Sequence, residues 1–219
     1  MLTIFYIGDS TAARNNIHSY PQTGMSQGLS LYVKESVRIE SHAKNGRSTK
    51  SFLDEGRFAA VESAMKPGDL LLIQFGHNDE KPDAARHTDP QTTFKANLRL
   101  FVEAARRCGA YPVLITPIAR RLFDEAGNFR PGSHGEYPEA VRELAADMDV
   151  PLVDLTAATE QFLAKMGDEA SKPLFMWPKD NTHLKPEGAV KMAGFLAEGL
   201  RSLGGVYADI LAVADTAMN

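Results

Sequence analysis

The stretch PGDLLLIQFGHND, residues 67–79, has the pattern of a buried strand that ends abruptly on polar residues. Pro67-Gly68-Asp69 punctuates the chain, Leu70 to Phe75 form an almost unbroken apolar run, and Gly76 ends it before His77-Asn78-Asp79. A strand with one wet face alternates apolar and polar residues. LLLIQF does not alternate, so it reads as a central strand of a parallel sheet covered on both faces.

On either side of it, strand and helix signals alternate. Residues 2–7 read as a first strand, 25–35 (MSQGLSLYVKE) as a helix, 36–42 (SVRIESH) as a second strand and 57–65 as a helix. Beyond the central strand comes the clearest helix. Asp89 caps it, Pro90 suits its first turn and Gly109 closes it. Phe94, Leu98, Phe101, Val102 and Ala105 share one of its faces. YPVLIT (111–116) is the fourth strand, and Tyr137, Ala140, Val141, Leu144, Ala145 and Met148 mark another helix face. VPLVDL (150–155) is the fifth strand, and a last strong helix runs from near Pro186 to Gly204-Gly205. Five strands separated by helices predict an α/β fold, a doubly wound three-layer α/β/α sandwich on a parallel sheet. Residues 1–219 read as a single domain without repeat, linker or low-complexity run. The tail from Val206 to Asn219 is expected to pack as a short helix or to serve a subunit contact, and the oligomeric state is not legible.

Bulk composition narrows the classes. An apolar share of 43% and a charged share of 24% are those of a soluble globular protein. A net charge of −4 argues against nucleic acid, which needs clustered Lys and Arg. No segment has the length and apolarity of a membrane span. Cys108, a lone cysteine, permits no internal disulfide and reads as a small buried hydrophobe. No charged leader or cleavage site precedes the first strand, so the expected location is cytoplasmic, although a secreted chain relieved of its leader reads the same.

The two longest irregular stretches, 76–89 and 117–135, both follow predicted strands and so fall at the carboxyl edge of the sheet, where open α/β sheets bind ligands. Four polar segments stand out: GDST (8–11), KNGRST (44–49), GHND (76–79) and DNTH (180–183). The first three follow strands one, two and three. Ser10 is a candidate nucleophile, and a serine hydroxyl needs a base that is itself oriented. Asp180 and His183 stand three residues apart, so the carboxylate can reach the imidazole and leave its other nitrogen to take the serine proton. Gly46 permits close approach of its N–H, Asn78 offers a side-chain amide and Ser10 its own N–H, three candidate donors to a developing oxyanion. Taken singly, Gly-Asp-Ser and Asn-Gly are ordinary turn sequences. Turn chemistry alone does not explain four such segments at one edge. The remaining histidines show no metal-ligand spacing, and no metal or cofactor is expected.

Together the four segments resemble the four sequence blocks of the SGNH (GDSL-type) esterases and lipases, in the same order and across nearly the whole chain. The resemblance implies a flavodoxin-like sandwich of five parallel strands. It also implies Ser10 as nucleophile, His183 as base and Asp180 as its orienter, with Ser10, Gly46 and Asn78 forming the oxyanion hole. G-x-S-x-G is missing, so the α/β-hydrolase elbow is not expected. GDSTAARN, AKNGRSTKSF, QFGHNDEK, TPIARRLFDEAGNF and DNTHLKPEGA, with Thr11 after the serine, look like rhamnogalacturonan acetylesterases. That branch implies removal of acetyl groups from pectin oligosaccharides.

An acetylated, uronate-rich oligosaccharide would then be the partner. Arg120 or Arg121 would pair with its carboxylates, Trp177 would stack on a sugar ring, and His134 and Tyr137 would hydrogen-bond hydroxyls. Each of these also has an ordinary structural reading. Two alternatives remain. One is another esterase of the superfamily, acting on xylan acetates, thioesters or lysophospholipids; the polar loop DEKPDAARHTD weighs against lipid. The other is a non-catalytic carbohydrate-binding module on the same fold, against which the joint presence of Ser10, Asn78, Asp180 and His183 speaks.

Overall fold

The structure, a computed structural model, describes residues 1–213. Five strands form one parallel sheet: β1 (Thr3–Gly8), β2 (Arg38–Ser41), β3 (Leu70–Gln74), β4 (Tyr111–Ile115) and β5 (Leu152–Val153). Their order across the sheet is β2-β1-β3-β4-β5. Register pairs Ile4 with Leu70 and Gly8 with Gln74, so β1 and β3 end side by side. The strand order reverses there, which opens a crevice at the carboxyl edge. The segments after β1 and β3 are GDST and GHND.

Alternate side chains of each central strand enter opposite layers. Ile4, Tyr6, Leu70, Leu72, Val113 and Ile115 face one core, while Phe5, Ile7, Leu71, Ile73 and Leu114 face the other. This is why LLLI carries no polar face. The first layer holds α1 (Met25–Leu29), α6 (Leu155–Met166), α8 (Pro186–Leu203) and α9 (Gly205–Asp209). The second holds α2 (Thr49–Asp54), α3 (Arg57–Ala64), α4 (Lys95–Arg107) and α5 (Tyr137–Met148). A short α7 (Asp168–Ser171) follows α6. In the second layer Phe52, Phe58, Phe75 and Phe101 pack as an aromatic group with ring separations of 4.7–6.2 Å. Each such ring contributes roughly 2–3 kcal/mol by leaving water.

The three-layer fold matches the sequence expectation; several boundaries differ for local reasons. The helix expected over 25–35 stops at Leu29, because Leu31 and Tyr32 turn back onto the carbonyls of Gly28 and Leu29. Tight packing on α8 accompanies this, since a Cβ on Gly28 would lie 2.5 Å from the Ala189 carbonyl oxygen. After the turn, Val33 bridges Leu211 in antiparallel fashion. The start of the tail is thus short helix α9 followed by a segment laid against residues 32–34; residues 214–219 lie outside the described part. The fifth strand shrinks to two residues because Asp154 leaves it to cap α6, accepting from Ala157 N at 3.1 Å. Asp89 caps a π-turn over Pro90–Phe94 before α4 proper begins. Helices α2 and α6 appear in addition to the expected elements, each started by a side-chain cap, Ser48 for α2 and Asp154 for α6. Cys108 is only half-buried, beside the Glu62 carbonyl, rather than fully interior.

Candidate active site

Strand β1 delivers Ser10 through a turn built on Asp9. The backbone N–H groups of Ala12 and Ala13 donate to the Asp9 carbonyl, while Thr11 N–H and Oγ1–H donate to Asp9 Oδ1 at 2.9 and 2.8 Å. Burial raises the Asp9 carboxyl above its ordinary value, against the Thr11 hydrogen bonds that favour its ionised form. Gly8 is required by close approach: a Cβ there would lie 2.4 Å from the Gln74 carbonyl oxygen of β3.

His183 arrives from the opposite direction, on the loop before α8. Asp180 Oδ1 accepts from Thr182 N and His183 N at 2.9 and 2.7 Å, which curls the loop around the carboxylate. Its other oxygen lies 3.1 Å from His183 Nδ1. An ionised carboxylate only accepts, so Nδ1 carries the proton and Nε2 is left as an acceptor. Ser10 Oγ stands 2.9 Å from that nitrogen. Burial pushes the Asp180 carboxyl up. Hydrogen bonds from the backbone of His183 and Thr182 and from the imidazole outweigh it and hold the carboxyl below the ordinary range. Asp180 therefore stays ionised through neutral pH.

The loop after β2 is stitched to the end of β1 by Lys44 N–H donating to the Gly8 carbonyl at 3.0 Å, which brings Gly46 beside Ser10. Gly46 takes a left-handed φ of +79° that a larger residue rarely adopts. Among the described residues, neither Ser10 N–H nor Gly46 N–H donates to a protein acceptor. Asn78 Nδ2 spends one proton on the Arg47 carbonyl at 3.2 Å and keeps a second. Arg86 Nη1 donates to Asn78 Oδ1 at 3.3 Å, which fixes which end of the amide faces which way. Two free main-chain donors and one oriented amide thus line the same cleft as Ser10, a volume of about 510 Å³. Chemically, this set can deprotonate a serine hydroxyl, hold the resulting oxyanion and return the proton to a leaving group.

Sequence reading overlooked Asp79, which ties the polar segments together. Its Oδ1 accepts from Thr49 N, Thr49 Oγ1 and Thr88 Oγ1 at 3.0, 2.6 and 3.0 Å. Burial raises its carboxyl to about 7, with the Thr49 and Thr88 hydrogen bonds opposing. An unfolded Asp titrates near 3.9, so between about pH 4 and pH 7 the native state holds a proton that the unfolded chain has lost. This contribution to stability is complete below about pH 4 and fades as pH rises through about 7. Asp79→Asn is accordingly expected to flatten the fall in stability between those limits, relative to wild type, in denaturant titrations at stepped pH. An unchanged slope would assign the titration elsewhere.

The other candidate residues fall in different places. Arg120 reaches the cleft, but its guanidinium pairs with Glu80 and donates to Thr182 Oγ1 at 2.9 Å. Arg121 is 2% exposed and spends its guanidinium on Asp168 and Ser171, under the ring of Trp177. It does not line the cleft, and neither does Trp177, which is 39% exposed with Arg121 4.8 Å from its ring centre. His134 is buried, with Nδ1 at Glu80 and Nε2 at the Ile118 carbonyl, both 2.9 Å away. The Tyr137 hydroxyl is directed at the carbonyls of Asp79 and Thr88. For Arg121, His134 and Tyr137 the expected solvent-facing group is therefore turned inward: Arg121 anchors α7, while His134 and Tyr137 hold the loop that follows β3. No cluster of three or more metal-ligating side chains occurs among the described residues, and none of their helices is long and apolar enough to cross a membrane.

Comparison with known proteins follows the same lines. Residues 6–190 match the GDSL-like Lipase/Acylhydrolase family. The chain is 42% identical over 215 residues to rhamnogalacturonan acetylesterase RhgT of Bacillus subtilis (strain 168), covering 93% of this chain and 91% of that one. Its fold superposes on the crystal structure of Bacillus subtilis YxiM with a TM-score of 0.82 at 24% identity, over 93% of this chain but 57% of that one. Axe2, an acetylxylan esterase from Geobacillus stearothermophilus, gives a TM-score of 0.66 at 19% identity, over 94% of this chain and 95% of that one. At those identities the two structures speak to fold alone. The chain belongs to the GDSL-like lipase/acylhydrolase family, the SGNH hydrolases, and is a carboxylic ester hydrolase.

Proposed function

We propose that this esterase removes acetyl groups from acetylated rhamnogalacturonan oligosaccharides. The observation that carries the reading is the lining of the cleft over Ser10: apart from Gly46 its residues are polar or charged, and Lys81, Arg86 and Arg120 border it. An acidic sugar suits such a rim. A long acyl chain does not, since the apolar groove of about 670 Å³ between Phe162, Met166 and Val190 contains none of the Ser10, Asp180 and His183 set. The likeness to RhgT supports the same substrate class.

In the proposed reaction His183 Nε2 takes the Ser10 proton as Oγ attacks the acetyl carbonyl. The carbonyl oxygen becomes an oxyanion and is received by Ser10 N–H, Gly46 N–H and the second proton of Asn78 Nδ2. The imidazolium then gives its proton to the departing sugar oxygen, leaving acetyl on Ser10. Water, deprotonated by the same nitrogen, attacks the acetyl-enzyme and releases acetate. Asp180 stabilises the imidazolium in both halves without taking its proton.

An acetylated xylan is the second reading, because Arg86 and Arg120 each already face a carboxylate of the protein. Acetate release at matched acetyl concentration from acetylated rhamnogalacturonan, acetylated xylan and an octanoate ester separates the readings, with Ser10→Ala as blank. The expected order places rhamnogalacturonan about tenfold above xylan in kcat/KM. Preference for xylan or octanoate would overturn the proposal.

A further inference from the structure

Three cationic side chains border the cleft at Ser10, and they are not equivalent. Arg120 is spent: its guanidinium pairs with Glu80 and also reaches Thr182 Oγ1 and the His77 carbonyl. Arg86 is spent too, with Nε and Nη2 on Asp83 Oδ2 at 2.9 and 2.7 Å and Nη1 on the Asn78 amide. The carboxylate of Asp180, which also lines the cleft, serves the imidazole of His183. Lys81 differs. Among the described residues its ammonium forms no ion pair and no hydrogen bond.

Its main chain, by contrast, is pinned at both ends of the peptide. Lys81 N–H donates to the Asn78 carbonyl at 3.1 Å, and the Lys81 carbonyl lies 3.1 Å from His87 Nδ1. The residue therefore sits in a fixed turn three positions after the oxyanion amide, with only its side chain free to move. Its charge is felt inside the site. Buried His77 is held well below its ordinary value, first by burial, then by the neighbouring His134, Arg120 and His183, and last by Lys81. A cation already facing a carboxylate gains little from a second one. An unpaired ammonium on a pinned backbone gains a full charge-assisted contact at the cost of ordering one side chain.

We propose that Lys81 is the residue that receives a uronate carboxylate of the substrate and so sets the preference for an acidic over a neutral acetylated sugar. The inference rests on the proposed deacetylation of rhamnogalacturonan and assigns its carboxylate contact to a residue outside the Arg120-Arg121 pair. The bound sugar carboxylate would lie on the same wall of the cleft as Asn78. The ester carbonyl and the acid group would then be read by one turn of chain, residues 78–81.

The test compares wild type, Lys81→Gln and Lys81→Arg on two forms of one acetylated rhamnogalacturonan oligosaccharide, the free acid and its carboxyl methyl ester, with acetylated xylan alongside. Wild type is expected to favour the free acid over the methyl ester by about tenfold in kcat/KM, through KM, the size of effect that a charge-assisted contact supplies. In Lys81→Gln that ratio is expected to collapse towards one, and Lys81→Arg should restore most of it. Rising salt should erode the wild-type ratio and leave that of Lys81→Gln flat. A Lys81→Gln enzyme that keeps the wild-type ratio would overturn the assignment while the rhamnogalacturonan reading stands, as would a loss appearing equally on both forms. Wild type that prefers xylan to the free acid would sink the reading itself, and the assignment with it.

Discussion

Ser10→Ala is expected to abolish all but a residue of turnover, with a fall in kcat of about 10⁴-fold or more. Among the described residues, the hydroxyl is the group that stands 2.9 Å from the His183 acceptor nitrogen and at the same time beside two main-chain donors free of protein partners. Removing it leaves the donors and the base in position but gives them no oxygen to activate. Adding His183→Ala to Ser10→Ala should cost little further, because the base has lost its proton source already. A double variant much slower than either single one would mean that His183 works without Ser10, and full activity in Ser10→Ala would remove the serine from the mechanism. Steady-state acetate release, with a variant fold check by circular dichroism, reads both outcomes.

The second large effect is expected at Asp180→Asn, a loss of about 10³–10⁴ in kcat. The substitution is nearly isosteric, and its carbonyl oxygen can still accept from Thr182 N and His183 N, so the loop before α8 should hold its shape. What changes is the group facing His183 Nδ1. An amide NH₂ donates where the carboxylate accepted, so Nδ1 becomes the acceptor and the proton moves to Nε2. The imidazole then offers Ser10 a donor instead of an acceptor and cannot take its proton. Lost stabilisation of the imidazolium adds to this. Because the defect lies in proton transfer, kcat should carry it and KM should change little. A variant within tenfold of wild type would show that Asp180 serves only to shape the loop.

These expectations draw on features that the sequence displays unevenly. The sheet was legible because LLLIQF has no wet face, and β3 does lie between two neighbours with both faces covered. The approach of Ser10, Gly46 and Asn78 to one edge follows from strand order and from polar segments placed just after strands, while Asp180 and His183 are marked by their three-residue spacing just before α8. Those are local signals. The fate of the arginines was not legible, because it depends on partners far along the chain. Arg121 is taken inward by Asp168, and Arg120 is neutralised by Glu80 across a different loop. Nothing in the dipeptide marks either event. Asp79 was hidden for a similar reason: its donors, Thr49 and Thr88, come from two other segments. Its one visible signal was an acidic residue directly beside an amide at the end of a buried strand. Lys81 sat in plain view within GHNDEK, but its free charge stands out only once its neighbours' pairings are known. Element ends were misread where a cap overrode periodicity, as Asp154 does at the end of β5.

A serine mechanism requires that the acyl group can be caught on the enzyme. Wild type turning over an activated acetate ester is quenched in acid within the first turnovers, digested and mapped by mass spectrometry. One acetylated peptide is expected, carrying the modification on Ser10 and disappearing in Ser10→Ala. An acetyl group trapped on another residue, or steady turnover with Ser10 never modified, would contradict that mechanism.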